Sequence, residues 1–169
     1  MRDRFGRNVQ YLRLSVTDRC NLRCRYCMPE GVSLTDHQEI LRYEEYLRIC
    51  RIAVSLGITR FKITGGEPLL RRGCMDFIRK LKMLSGVEQV TLTTNGLLLE
   101  PVIHELAEME LDGVNISLDT LDAERYAQIT GHTGPAVPEL LRTLEKCRSA
   151  GLKTKINTVI LPSGREDWK

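Results

Sequence analysis

Cys20, Cys24 and Cys27 stand within eight residues of one another in DRCNLRCRYCMPE, residues 18–30. Thiolates at this spacing can wrap a single centre. Structural zinc is normally closed by four protein ligands, and iron-sulfur clusters are usually held by four cysteines. Three cysteines with no fourth nearby therefore suggest a site with one position left open. The spacing also admits a zinc loop completed by Asp18, Asp36 or His37, or plain unliganded thiols. A second stretch with chemical potential is ITGGEPLLRR, residues 63–72. Gly65 and Gly66 lack a Cβ and would let backbone groups approach a ligand. Pro68 suits a turn or a first helical position, and Glu67 is expected at the mouth of a site. A plain strand-to-helix turn is the alternative.

These loops need elements to hold them. β-rich runs occur at LRLSVT (12–17), RFKITGG (60–66), QVTLTTNG (89–96), GVNISLD (113–119) and LKTKINTVI (152–160), bounded by Gly, Asn or Asp. Amphipathic stretches lie between them: 41–56 with Leu47, Cys50 and Val54 on one face, 74–84 with Phe77, Ile78 and Leu81, and 140–147 with Leu144. Alternating strand and helix predicts an α/β fold with right-handed crossovers and about five parallel strands, either doubly wound or curled as part of a barrel. The cysteines follow the first strand and the glycines end the second, where such sheets keep their sites. No Gly/Ser-rich linker interrupts the chain, so residues 1–169 are expected to form one domain.

Strands covered on both faces should be nearly all apolar, yet every strand here alternates. Arg13, Ser15 and Thr17 oppose Leu12, Leu14 and Val16; Lys62 and Thr64 oppose Phe61 and Ile63. Thr91, Thr93 and Asn95, then Asn115, Ser117 and Asp119, repeat the pattern, and Lys155 and Asn157 continue it. One face is therefore expected to pack on helices and the other to line a polar cavity. Its cations Arg13, Lys62 and Lys155 outnumber Asp119 and favour an anionic ligand such as a phosphorylated compound.

Composition adds exclusions. The chain has 169 residues, six cysteines and a net charge of +3, with Lys and Arg spread evenly, so nucleic acid is not an expected partner. The first twenty residues carry no apolar run and nowhere do eighteen apolar residues follow one another, so neither a secretory signal nor a membrane span is expected, and the expected location is cytoplasmic. Cys50, Cys74 and Cys147 sit at helical spacing among apolar residues and read as buried thiols. His104 and His132 have no sequence neighbour that would make either a base. Arg71 and Arg72 read as solvating or capping a helix start, and Trp168 is unplaced.

CNLRCRYC, with Tyr26 at the aromatic position, resembles the Cys-x-x-x-Cys-x-x-Cys motif of radical S-adenosylmethionine enzymes, and TGGEP is similar to their Gly-Gly-Glu motif. LRLSVTDRCNLRCRYCMPEG, ITGGEPLLRR, LTTNGLLL and NISLDTLDAERYAQITG, in this order, resemble the GTP 3',8-cyclase family, which begins molybdenum-cofactor synthesis. The resemblance runs from about Asp3 to Ile160. It implies that Cys20, Cys24 and Cys27 hold three irons of a 4Fe-4S cluster, with the fourth iron left for S-adenosylmethionine, and that GTP is the substrate, its ribose losing a hydrogen atom before the sugar joins C8 of guanine. It further implies that Tyr26 borders the adenine, Gly66 meets the amino group of S-adenosylmethionine, and Ser117 contacts its aminoacid part. Arg13, Thr93, Lys155 and, where the family commonly has Arg, Lys62 are the implied GTP contacts. Lys keeps the charge there without the bidentate fork.

The family's barrel has six strands and is followed by a C-terminal domain with a second 4Fe-4S cluster. After Ile160 this sequence gives only LPSGREDWK. The expectation is a partial (β/α) radical SAM barrel that holds the first cluster and S-adenosylmethionine and does not complete the reaction alone. An electron donor is implied, and the last strand's open edge favours aggregation unless a second chain, as in a homodimer, covers it. A peptide-modifying radical S-adenosylmethionine enzyme, which would have no need of Arg13 and Lys155, and an inactive metal-binding fragment are the other readings.

Overall fold

The computed structural model describes residues 2–28, 33–36 and 38–161. All five expected strands are present and are shorter than their sequence runs: β1 Tyr11–Ser15, β2 Arg60–Thr64, β3 Gln89–Thr94, β4 Gly113–Ser117 and β5 Thr154–Asn157. They form one sheet in the order β1-β2-β3-β4-β5, with every neighbouring pair parallel. This order decides between the two expected architectures. A right-handed crossover that always steps the same way puts every connecting helix on one face. The sheet is therefore singly wound, as in a barrel, and among the described residues its other face carries no helix.

The helices are α1 Tyr43–Ser55, α2 Cys74–Lys82, α3 Ile103–Glu108, α4 Ala123–Thr130 and α5 Ala136–Ser149, with short 3-10 turns at Pro68–Leu70 and Glu100–Val102. Three match the amphipathic stretches, α5 being longer at both ends. In α2 the acidic Asp76 lies in the first turn and Arg79, Lys80 and Lys82 in the last, complementing the helix dipole. The sequence stretches did not include α4, although its signals are ordinary ones. Asp122 caps its start by accepting from the Arg125 N–H at 2.8 Å, and Gly131 ends it at φ 71°.

The core lies between the helices and the apolar sheet face. Leu14, Phe61, Ile63, Val90, Leu92, Val114 and Ile116 meet Leu47, Cys50, Phe77, Ile78, Leu81, Leu106 and Leu140. Cys50, Cys74 and Cys147 are buried there as expected. No helix among the described residues is long and apolar enough to cross a membrane.

Candidate functional site

The loop that follows β1 is fastened to the loop that follows β2 through backbone groups. Val16 N–H donates to the Thr64 carbonyl at 2.9 Å, Gly66 N–H to Thr17 at 2.7 Å, and Glu67 N–H to Arg19 at 2.7 Å. The glycines are required by this contact. A Cβ on Gly65 would lie 2.4 Å from the Thr17 carbonyl oxygen, and one on Gly66 would lie 2.3 Å from that of Arg19. The close approach inferred from the glycine pair is thus first of all to the chain's own cysteine loop.

Glu67 does not stand at the mouth of the site. It is fully buried and turns inward, accepting from Leu69 N–H at 3.0 Å, from the Thr94 hydroxyl at 2.9 Å and from Asn95 N–H at 2.7 Å. Burial pushes its carboxyl above the ordinary range, while the donors from Asn95, Leu69 and Thr94 pull the other way. Its role is to join the ends of β2 and β3. Asn95, held by this clasp, donates through Nδ2 to Asn21 Oδ1 at 2.7 Å and reaches the Cys20 sulfur at 3.8 Å. Leu22 N–H reaches the same sulfur at 3.4 Å.

On its other side the cysteine loop rests on the C-terminal end of α4. Arg23 N–H donates to the Thr130 carbonyl at 2.8 Å and Arg25 N–H to that of Ile129 at 3.0 Å. A turn closed by Cys27 N–H to the Cys24 carbonyl at 2.9 Å brings Cys24 and Cys27 together. Burial pushes the Cys24 thiol up to about 11, with the charges of Asp119, Cys20 and Cys27 adding to it. All six cysteines are free thiols. Tyr26, between the last two, donates its hydroxyl to Asp119 Oδ2 at 2.6 Å, and Asp119 Oδ1 accepts from Val159 N–H at 2.9 Å. Asp119 therefore ties the cysteine loop to the segment leaving β5.

Among the described residues no group of three His, Cys, Asp or Glu side chains is arranged to hold a metal ion. A zinc centre would draw its thiolates to about 2.3 Å from one point. Asp18 Oδ2 accepts from Thr35 N–H at 2.5 Å and Asp36 Oδ1 from Gln38 N–H at 3.1 Å, while Asp18 Oδ1 is buried without a hydrogen-bond partner among the described residues. His37, its third candidate, and Trp168 lie outside the described residues.

Below the loops, the open sheet face carries the expected polar residues in two rows. Arg13 is in register with Lys62, and Lys62 with Thr91. Thr93 is in register with Asn115, and Asn115 with Lys155. The second row is two residues further along the strands, or ~6.6 Å. Ser117 ends β4 one step above it, paired with Asn157. Lys62 lies 5.9 Å from the centre of the Tyr11 ring. The Thr93 hydroxyl is buried without a hydrogen-bond partner among the described residues. Arg71 stays out of this face: it stacks on Tyr43 at 4.2 Å and donates to the Val16 and Leu41 carbonyls, a bracing role that replaces the expected solvating one.

A family model described as the Radical SAM superfamily matches residues 14–169. The chain belongs to this superfamily. It is 49% identical over 169 residues to a "GTP 3',8-cyclase" of Heliobacterium modesticaldum, covering 99% of this chain and 51% of that protein. It is 45% identical to a "GTP 3',8-cyclase" of Thermodesulfovibrio yellowstonii, covering 99% and 52%. The radical SAM chain thus spans about half the length of the curated relatives it matches. Its fold is similar to that of Streptococcus suis SuiB bound to S-adenosylmethionine, with a TM-score of 0.75 and 23% identity over 94% of this chain and 36% of SuiB.

Membership implies a 4Fe-4S cluster and S-adenosylmethionine as cofactors. The donor set fits the cluster. Its three thiols belong to one loop, that loop is fixed from both sides, and a backbone N–H and an amide N–H already reach the Cys20 sulfur, the kind of contact that tunes clusters held by thiolates. Each thiolate would bind a different iron, which calls for wider spacing than a single ion does.

Proposed function

We propose that this chain supplies the first-cluster, S-adenosylmethionine and part of the GTP-binding machinery of a GTP 3',8-cyclase acting in molybdenum-cofactor synthesis. The observation that carries the proposal is the cationic sheet face: Arg13 and Lys62 are register partners on the helix-free side of the sheet, and Arg13 lies two residues before the end of the strand that leads into the cysteine loop. An anion held there would lie next to the loop's ligands. The similarity to relatives named for GTP supports the choice of substrate.

In this reading Cys20, Cys24 and Cys27 hold the cluster. The N–H of Gly66 is engaged by Thr17, so its carbonyl is the group left to face the ammonium of S-adenosylmethionine. Tyr26, steadied by Asp119, borders the adenine, and Ser117 meets the aminoacid part. Arg13 and Lys62 bind phosphate charge, while Lys155 and the Thr93 hydroxyl position the nucleoside. When bound, the cofactor pair supplies the one-electron chemistry that removes a hydrogen atom from the ribose. The protein's share is to hold and order the reactants and exclude water. The proposal carries with it an electron donor, a cytoplasmic location, a second cluster in the whole cyclase, and one domain over residues 1–169. A homodimer would cover the β5 edge.

Anaerobic reconstitution followed by GTP titration tests it. About four irons per chain are expected, together with GTP binding that weakens roughly tenfold or more in Lys62→Ala, the cost of a lost charge-assisted hydrogen bond of about 1.5–3 kcal/mol. Lys62→Arg should tighten binding by restoring a bidentate fork. A folded, iron-loaded chain indifferent to GTP would overturn the substrate assignment.

A further inference from the structure

The Tyr126 hydroxyl has no hydrogen-bond partner in a place where it should have one. Tyr126 is 3% exposed, and its oxygen is buried without a partner among the described residues. Leaving a buried hydroxyl unpaired costs stability, a cost that a Phe of the same shape would avoid. Its surroundings point to the missing acceptor. Tyr126 lies on α4 one turn before Ile129 and Thr130, the two residues whose carbonyls hold the Arg23 and Arg25 N–H groups on either side of Cys24. Residues three and four apart share a helix face, so the tyrosine lies on the part of α4 that supports the cysteine loop. Burial pushes its phenol upward, and the charges of Cys24, Asp119 and Cys20 push it further, which places them within electrostatic reach of the hydroxyl. Nearby donors already have partners: Tyr26 donates to Asp119, and Leu22 and Asn95 donate to Cys20.

We propose that the Tyr126 hydroxyl donates a hydrogen bond to sulfur on the Cys24 side of the iron-sulfur cluster and so raises the cluster's reduction potential. The inference rests on the radical SAM reading of the cysteine loop. Reduction adds negative charge to the cluster, and a donor to its sulfur stabilises that charge. Among the described residues the hydroxyl makes no hydrogen bond; with the cluster in place, the cost of its burial is offset.

The test compares wild type with Tyr126→Phe after anaerobic reconstitution, reading iron content, the cluster's midpoint potential in a spectroscopic redox titration, and the melting temperature of the cluster-free chain. Equal iron content is expected, with a midpoint in the Phe variant more negative by about a tenfold change in the reduction constant, or ~59 mV for one electron. The cluster-free Phe variant should melt no lower than wild type. Tyr126→3-fluorotyrosine, a stronger donor of nearly the same size, should move the midpoint the other way. An unchanged midpoint in either fully loaded variant overturns the inference while sparing the cluster assignment. A folded wild type that takes up no iron overturns both.

Discussion

At the scale of single residues, Glu67 shows how a motif's most chemically suggestive member can serve the fold. Its carboxyl is buried and accepts three donors from the ends of β2 and β3. Burial dominates and holds the carboxyl above its ordinary value of 4.5. The sign of the linkage follows: the folded chain binds the proton more tightly than the unfolded one, so stability is fully present below 4.5 and is lost as pH rises through the raised value. Thr94 can accommodate the protonated form by turning its hydroxyl from donor to acceptor. Glu67→Gln removes this titration. Urea unfolding of both proteins from pH 4 to 8 should show wild type losing stability relative to the Gln variant toward neutral pH, and a constant difference would contradict the assignment.

At the scale of elements, the meeting of the β1 and β2 loops sets the shape of the site. Gly66→Ala would put a methyl group 2.3 Å from a backbone oxygen that has no rotamer to escape into. A loss of about 3 kcal/mol or more is expected, together with loss of iron uptake. Gly151→Ala is the control: at φ +70° with nothing within 4 Å, it should cost only about 1–2 kcal/mol. Thermal melts of the two variants would separate steric overlap from backbone preference. The strands and their two faces were legible in the sequence because period-two alternation is local, and the positions on the polar face followed from it. The cysteine triplet was legible for the same reason. The inward turn of Glu67, the reach of Asn95 to Cys20 and the Tyr26–Asp119 bond were not, since they join residues 27 to 93 positions apart. Helix α4 lay between: its Asp122 cap and Gly131 stop were readable, but eight residues carry too little periodicity to stand out.

At the scale of the whole molecule, the sheet has two open edges among the described residues, β1 and β5. On the β5 side Ile156 is 45% exposed, and Val159 and Ile160 continue the apolar strip. A charged side chain on an edge discourages pairing with another chain. Ile156→Lys should therefore lower self-association in light scattering, with a stability change of about 0.5 kcal/mol or less; unchanged association would place the sticky surface elsewhere. The sequential order of the strands has another consequence, for synthesis. Because each strand hydrogen-bonds only to those made just before and just after it, the sheet can grow in step with the emerging chain. The cysteine loop belongs to the first strand, yet its supports arrive late: Gly66 with the second strand, Asn95 with the third, Ile129 and Thr130 only after the fourth. The loop that would carry the metal is made directly after the first strand of this sheet and finished only after the fourth, so iron offered to the nascent chain would meet three thiols before it meets a site.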